Sequence, residues 1–594
     1  MRLAPGLLLT LFAFFPRPSF AADTEVRLAS IGYLPDRAKV ATVTAEATSF
    51  QVLREVDGSV AFAGMLVGPV TSPDLATPVW WADFSTLVET GRFYVQVDGV
   101  GRSIGFPIGD EVYREPLRAA MIGMYGQRCG TAVAITYNGQ TVKHAACHLN
   151  DGRLDYLGGK GTRDGRKGWH DAGDYGKYTV NAGLTVGSML AAWEEYSDAL
   201  AGLALPIPEA GGAVPDFLDE LRWELDWVLT MQYSADDGRV SHKLTALNFE
   251  GFEMPEADHQ ARYFVPWGSA ATADFVAMLA KAARIYQPYD ASFAEQCLAA
   301  ARVSYAFLTE NPANQAANQA GFSTGGYFTG DDDDRLWAAA ELWETTGEAA
   351  ALADFETRAT GQTSKIDSDF DWSNMKNLGM LVYLQSKREG RDPALVSAIQ
   401  AGLLKAATLL VDTRNGNSYG RALNRYYWGS NGSVARTCMV LQAAHRVTPD
   451  PAYLDTCADQ VGWLFGRNQY NRSQITGMGL NPPMHPHHRP SGADGVVPPW
   501  PGLLVGGGNS ATDWVDAQDN YRVNEIAINW NAALVYALAG FLTPQAEDPI
   551  DAGTYPAGAL PQGCSCRLSA PAAGPFRLAL AFALVAFVRR RRRH

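Results

Sequence analysis

Positive charge is in short supply in this chain. Its 594 residues hold 49 lysines and arginines against 63 aspartates and glutamates, a formal net charge of −14. Binding a polyphosphate requires a basic face, so nucleic acid is excluded as the expected partner. A neutral polymer such as a polysaccharide is compatible with an acidic surface. Long apolar runs are scarce as well. The run near the C-terminus, Leu578 to Val588, falls short of the ~20 residues that usually span a bilayer. No short internal repeat recurs, and cysteine is sparse at seven residues, so each cysteine is weighed singly. What is present is an ordinary soluble composition, 47% hydrophobic. It includes 15 tryptophans and 24 tyrosines, flat rings that either fill a core or stack on the apolar faces of sugars.

Both ends read as processing signals. Arg2, the apolar run Leu7 to Phe15 and the small-x-small triplet Ser19-Phe20-Ala21 make residues 1–21 a secretory signal peptide. At the other end, Gly563-Cys564-Ser565-Cys566 precedes the short apolar run and the cluster Arg589 to Arg593. Residues 563–594 resemble the C-terminal sorting tag of myxobacterial surface proteins. The resemblance implies export, with the protein held at or released from the cell surface; the alternative is a plain tail anchor. Any membrane contact is expected through this tag alone.

Between the ends, two textures follow one another. Residues 23–109 carry short alternating runs, such as Lys39 to Val43 and Arg92 to Val97, separated by Gly, Pro and Asp turns. That pattern predicts a small all-β sandwich of the immunoglobulin type. Residues 110–542 turn helical, with stripes such as Phe217, Leu218, Leu221, Leu225, Val228 and Leu229. About a dozen helices are expected, making the chain mainly α. Periodicity alone does not separate an α/α barrel from a solenoid. The long loop Asn471 to Asn509 has the length of a functional segment. Residues 543–562, rich in Pro, Gly and Ala, read as a linker.

Chemistry concentrates in two places. Trp169-His170-Asp171-Ala172-Gly173-Asp174-Tyr175 sets two carboxylates three residues apart among small and aromatic neighbours. One of them suits deprotonating a water while the other orients it; the alternative is a cap on a helix starting near Tyr175. Far downstream, Glu525 follows Asn524 and precedes the apolar stretch Ile526 to Phe541. It reads as an acid in the first turn of a helix or as a catalytic acid. Asp516 sits before it, between Trp514 and Tyr521. Carboxylates from distant parts of a chain, surrounded by aromatics, are what cleavage of a sugar–sugar bond requires.

Two spaced signatures carry a family resemblance. Trp514-x-Asp516-x4-Tyr521-x3-Glu525-x-Ala527-x3-Asn531-Ala532 is one; Ser473-Gln474-Ile475-Thr476-x2-Gly479-x-Asn481-x4-Pro486-His487-x-Arg489 is the other. With Asp171-Ala172-Gly173-Asp174, Trp337 to Leu342 and Tyr427 to Gly432, they make the chain resemble glycoside hydrolase family nine over roughly residues 24–541. The resemblance implies a barrel of six helical hairpins behind an immunoglobulin-like sandwich. It implies a secreted or surface-held endo-β-1,4-glucanase that inverts configuration on a cellulose-type β-glucan. Asp174 would be the base, Asp171 would fix the water and Glu525 would be the acid. An inverter places a water between base and sugar, so its carboxyls stand ~6.5–9.5 Å apart. His487 and Arg489 would hydrogen-bond substrate hydroxyls. Asp516 joins the substrate-binding set, with Trp428, Tyr426 and Trp530 as stacking platforms, each of which also fits a core role.

Cys129, Cys147, His148 and His170 suit a closed tetrahedral zinc site, with a Cys129–Cys147 disulfide as the alternative on spacing alone. The sandwich-bearing subgroup carries a structural zinc with this ligand pattern, which favours zinc. Asp331, Asp333 and Asp334 offer calcium ligands in a neighbourhood where family members often hold calcium; the alternative is a solvated acidic run. Cys297, Cys438 and Cys457 read as buried small hydrophobes, with a Cys438–Cys457 bridge left open. No organic cofactor is expected, and a monomer is. The competing functions are a same-fold exo-acting or other β-glycosidase, acting on lichenan, xyloglucan or glucosamine oligomers, and a non-catalytic sugar-binding surface protein.

Overall fold

The computed structural model describes residues 24–544. The expected signal peptide, the C-terminal tag and residues 545–562 of the expected linker lie outside the described residues.

The first unit is built by period-two burial. β3 (Ser49–Arg54) buries Phe50 and Val52, and β7 (Gly91–Val97) buries Phe93, Val95 and Val97. Alternate side chains of a strand point to one face, so pairing Phe50 with Val97 and Val52 with Val95 aligns the apolar faces. β4 (Val60–Met65), β8 (Gly101–Arg102) and β9 (Phe106–Ile108) complete that sheet, in the order β4-β3-β7-β8 with β9 also on β7. The opposing sheet is β1-β2-β6-β5, from Val26–Arg27, Val40–Val43, Leu75–Asp83 and Val67–Ser72. The sandwich is seated on the helical part. Ser30 N–H donates to the Phe465 carbonyl at 3.0 Å, Trp81 Nε1 to the Ser418 carbonyl at 2.8 Å, and Arg467 Nε to Thr42 Oγ1 at 3.2 Å.

Twelve helices form two rings. The outer ring is α1 (Arg114–Gly126), α3 (Asp216–Thr230), α5 (Ala291–Glu310), α7 (Ala349–Gly361), α9 (Pro393–Asn415) and α11 (Pro451–Leu464). The inner ring is α2 (Thr179–Leu200), α4 (Ser269–Tyr286), α6 (Asp332–Thr346), α8 (Lys376–Gln385), α10 (Ser430–Val447) and α14 (Ile528–Ala539). The outer helices α5, α7 and α9 bury a single stripe, which in α7 is only Ala351, Phe355 and Ala359, whereas α1 and α11 are covered over most of their length. Inner helices are covered all round, and all twelve residues of α14 are buried. Helix starts follow capping chemistry. Asp392 and Asp450 each accept a backbone N–H at 2.8 and 2.9 Å and are followed by Pro at the first helical position.

This is the six-hairpin α/α barrel, with α7 as the hairpin member that its weak stripe had hidden. Every inner helix begins at the same mouth, so the loops that precede them gather there. The opposite mouth is closed by charge: Lys281 and Arg284 of α4 pair with Glu194 and Glu341 at 2.5–3.3 Å. Two short helices, α12 (Arg489–Ala493) and α13 (Tyr521–Asn524), lie in the long loops that precede α14.

Candidate active site

The loop carrying Asp171 and Asp174 is tied down before α2 begins. Gln127, at the end of α1, donates to the carbonyls of His170 and Ala172 at 3.1 and 3.0 Å and accepts from His170 N–H at 2.7 Å. From α3, Glu220 accepts from the Trp169 indole at 2.9 Å and Glu224 from the Trp169 backbone at 2.5 Å. The α2 helix starts at Thr179 with Tyr178 at its cap and no side-chain cap, so neither aspartate caps a helix.

Glu525 departs from expectation. It lies in extended backbone, φ −71° and ψ 157°, between α13 and α14 rather than in a first helical turn. Three bridges hold that segment: His487 with Glu525 (parallel), Val505 with Ile526, and Ala172 with Ala527 (both antiparallel). Ile528 N–H also donates to the Asp171 carbonyl at 2.9 Å. The acid and base segments are therefore hydrogen-bonded neighbours. Gly173 sits in the crossing, where a Cβ would fall 2.3 Å from the His487 carbonyl oxygen.

Each carboxylate has a distinct environment. Asp171 is fully enclosed, with Oδ1 accepting from Asn181 Nδ2 at 2.8 Å and Oδ2 from the Tyr327 hydroxyl at 2.5 Å. Burial and then the nearby Asp174 charge push its pKa up to about 8, against the opposing pull of those two donors. Asp174 Oδ2 accepts from Gly176 N–H at 3.0 Å and from the Tyr178 hydroxyl at 2.8 Å, which leaves Oδ1 for a water. Burial, followed by the charges of Asp174 and Asp171, raises Glu525 well above the ordinary carboxylate range, which favours its protonated form. A carboxylate with one oxygen free for a water, opposite a buried acid whose protonated form is favoured, is the division of labour that general acid–base catalysis needs.

Other residues of the sequence-derived set fall in different places. His487 borders Glu525 through backbone, and its Nδ1 donates to the Gln518 carbonyl at 2.7 Å, so Nε2 is the acceptor of a neutral ring. Trp428 is 49% exposed and edge-on to Tyr521 at 5.5 Å, on the open side of the site. Four residues need correction. Arg489 is engaged inward: Nε and Nη2 donate to the Glu250 carbonyl at 3.1 and 3.0 Å, and Nε pairs with its carboxylate at 2.7 Å. Asp516 accepts from the backbone of Met484 and His485 and pairs with Arg472 at 3.0 Å, so it shapes the 471–509 loop instead of facing a ligand. Tyr426 lies under the Arg421 guanidinium at 4.0 Å and donates to Asp74 of the sandwich at 2.6 Å, which makes it an interdomain contact. Trp530, 7% exposed, is a core side chain seated on Gly429, Gly432 and Gly506.

The metal candidates divide. The ligand atoms of Cys129, Cys147, His148 and His170 lie within 4.8 Å of one another, and both cysteines are free thiols, so the disulfide alternative is not formed. His148 Nδ1 is 3.6 Å from Cys129 Sγ and His170 Nε2 is 3.8 Å from Cys147 Sγ, edge lengths close to the about 3.5–3.8 Å of a tetrahedral S2N2 zinc site. Asp258 Oδ2 lies 3.3 Å from His148 Nε2 and fixes which nitrogen faces the sulfurs. Burial lowers the His170 pKa to about 3, which keeps it a neutral donor. The three aspartates proposed for calcium do not converge. Asp331 pairs with Arg335 at 2.6 Å, Asp333 accepts from Met375 N–H at 2.5 Å, and Asp334 is buried against Asp274. The acidic run is a helix start with three separate neighbours, and the shared calcium cage is withdrawn. Cys438 and Cys457 form a disulfide that joins α10 to α11, which settles the alternative left open for them.

Sequence reading missed the hydroxyls and amide that hold the carboxylates, Tyr178, Asn181 and Tyr327. Tyr178 lies four residues from Asp174 and was findable; Tyr327 arrives from the loop before α6 and left no local signal. It also missed Glu250, whose carboxylate accepts from Tyr175 N–H at 3.0 Å, and the exposed rings of Phe249 and Phe252 beside it.

Comparison with known proteins places this geometry in context. The profile described as Glycosyl hydrolase family 9 matches residues 113–538, and that of the Cellulase N-terminal ig-like domain matches 21–102. Endoglucanase D of Acetivibrio thermocellus is 54% identical over 536 residues, 89% of this chain and 85% of that protein. A xyloglucan-specific endo-β-1,4-glucanase of Bacteroides ovatus is 32% identical over 569 residues, covering 89% of this chain and 95% of that protein. Among solved structures, a metagenome-derived glycoside hydrolase family 9 endoglucanase superposes with a TM-score of 0.79 at 35% identity, over 87% of this chain and 98% of its own. A Zn-binding triple mutant of a family 9 endoglucanase gives 0.80 at 31% identity, over 86% and 100%.

Proposed function

The chain belongs to glycosyl hydrolase family 9, and from that premise we propose that Asp174 and Glu525 cleave a β-1,4-glucan by a single inverting displacement. The protein is an endo-β-1,4-glucanase, a glycoside hydrolase acting on a β-glucan chain. The observation that carries the residue roles is the bridge between Ala172 and Ala527, which sets the two carboxylate segments side by side.

In the step itself, Asp174 takes a proton from a water as that water attacks the anomeric carbon. The bond from that carbon to the glycosidic oxygen breaks, and the oxygen takes the proton of Glu525. The step leaves Asp174 protonated and Glu525 ionised, and exchange with solvent restores both. Asp171, fixed by Tyr327 and Asn181, steadies the water from its other side. Because the water enters opposite the leaving oxygen, a β-linked substrate gives an α-configured end.

We read the Cys129, Cys147, His148 and His170 cluster as a structural zinc site. Two thiols and two imidazoles suit zinc, and His170 is the residue before Asp171, so the metal would brace the base loop and supply no step. Export through residues 1–21 and attachment or release through the C-terminal tag complete the reading, with a monomer acting at the cell surface or outside it.

The test combines viscosity and stereochemistry. Carboxymethylcellulose should lose viscosity well before reducing ends accumulate, and proton NMR of the first product from cello-oligosaccharides should show the α-anomer. Early β-anomer would refute the inverting roles; absence of hydrolysis on any β-1,4-glucan would refute the function.

A further inference from the structure

Phenylalanine at a protein surface normally turns its ring inward. Phe249 and Phe252 do not: they are 48% and 39% exposed and directly flank the dipeptide Glu250-Gly251. Both nevertheless sit in a rigid setting. The Arg489 guanidinium lies 5.7 Å from one ring and 5.9 Å from the other, while its Nε and Nη2 hold the Glu250 carbonyl between them. The far end of the loop is held by the Tyr175 hydroxyl, which donates to the Glu253 carbonyl. Phe252 also packs close to Gly492 of α12 and meets the His487 ring edge-on at 5.2 Å. His487 is bridged to Glu525. The exposed rings therefore start one residue away from the acid and are anchored to the loop of the base.

We propose that Phe249 and Phe252 form a glucosyl-binding platform that extends the cleft beyond the two sugar units at the reacting carbon. The proposal rests on the endoglucanase reading above and adds a binding subsite to it. A β-linked glucosyl ring presents an apolar face of axial C–H bonds, and an aromatic ring held in place covers that face without an entropy cost on binding. Phenyl rings carry no hydrogen-bond donor, so the platform selects for the flat, equatorial shape of the sugar and not for a particular hydroxyl. The engagement of Arg489 by Glu250 is explained by the same arrangement: its cation backs the two rings and fixes the loop.

The experiment compares wild type with Phe252→Ala, Phe249→Ala and Phe252→Trp. On cellohexaose, each alanine variant should lose about five- to tenfold in kcat/KM, the size of one lost ring–sugar contact, mostly through KM. On β-cellobiosyl fluoride, which places no sugar on the platform, the loss should stay under about twofold. Phe252→Trp should recover the cellohexaose value, and melting temperature and metal content should match wild type throughout. In a Glu525→Gln background, titration calorimetry should show the cellohexaose Kd rising by the same factor. Equal losses on both substrates, or an unchanged Kd, would overturn the platform while leaving the endoglucanase reading intact. Failure of wild type on every β-glucan would instead defeat that reading.

Discussion

Ala172 and Ala527 are paired as antiparallel neighbours, and Ile528 N–H completes the join by donating to the Asp171 carbonyl at 2.9 Å. The separation of base from acid is thus set by main-chain hydrogen bonds and not by flexible side chains. Gly173 is the residue that permits the join, since a methyl group there would lie 2.3 Å from the His487 carbonyl oxygen. Gly173→Ala must push the two segments apart. A misplacement near 1 Å costs roughly a hundredfold in rate, so kcat on cellohexaose should fall by at least about that factor. Wild-type kcat in a folded variant would show that the crossing is not what aligns the carboxylates.

Removing either proton-transfer group has a larger effect. Asp174→Ala and Glu525→Gln should each lower kcat on a soluble cellulose derivative by about 10²–10⁴. The two variants should then separate on β-cellobiosyl fluoride, whose leaving group needs no proton. Glu525→Gln should recover most of its rate there and Asp174→Ala should not. Matching behaviour on both substrates would assign the roles wrongly.

Asp171 links catalysis to stability. Its folded pKa of about 8 exceeds the roughly 3.9 of an unfolded aspartate. Between those values the folded chain holds a proton that the unfolded chain releases, so this group makes stability fall as pH rises from about 4 to about 8. The groups facing it are the Asp174 and Glu525 carboxyls, the Glu224 carboxyl behind the loop, the Tyr327 hydroxyl and the Asn181 amide. Asp171→Asn cannot ionise. Its melting temperature relative to wild type should be a few degrees higher at pH 8 than at pH 5, while activity drops. A difference that does not change with pH would mean that Asp171 is ionised in the fold at neutral pH.

Much of the fold was legible because its signals are local. Burial alternates along β3 and β7, and stripes mark α3 and α4, so the sandwich and most helices follow from spacing alone. α7 escaped because an alanine-rich outer helix with one buried phenylalanine, Phe355, has little stripe to read. The misplaced start of α14 has a different cause. Ile526 and Ala527 are apolar in a helix and in a bridge alike, and the extended form is chosen by Val505 and Ala172, partners remote in sequence. The same reasoning covers Arg489 and Asp516. Their signature positions were readable, but whether a charged group meets a ligand or a neighbouring loop depends on which carboxylate or backbone N–H the fold brings to it.

The cysteine–histidine cluster should behave as a brace. Purified protein should carry about one zinc per chain, with Cys129 and Cys147 unreactive to thiol reagents until a chelator is added under mild denaturation. Cys129→Ser should lose the metal and lower the melting temperature by at least about 5 °C. Full thiol reactivity without bound metal in the native protein would remove the zinc reading.

Trp428 precedes Gly429 in the chain and Trp530 packs against that glycine, yet the two rings should respond in opposite ways. A Cβ on Gly429, Gly432 or Gly506 would meet the Trp530 indole at 2.6, 2.3 or 3.0 Å, so that ring fills a seat made for it. Trp530→Ala should destabilise the protein by about 3–5 kcal/mol in urea unfolding, through lost burial and the cavity left behind. Trp428 is half exposed and touches Tyr521 edge-on. Trp428→Ala should leave stability within about 0.5 kcal/mol of wild type and lower kcat/KM on cellohexaose about tenfold. Stability loss in both variants would make Trp428 part of the core. Loss of substrate binding with full stability in Trp530→Ala would return that residue to the cleft, against its burial.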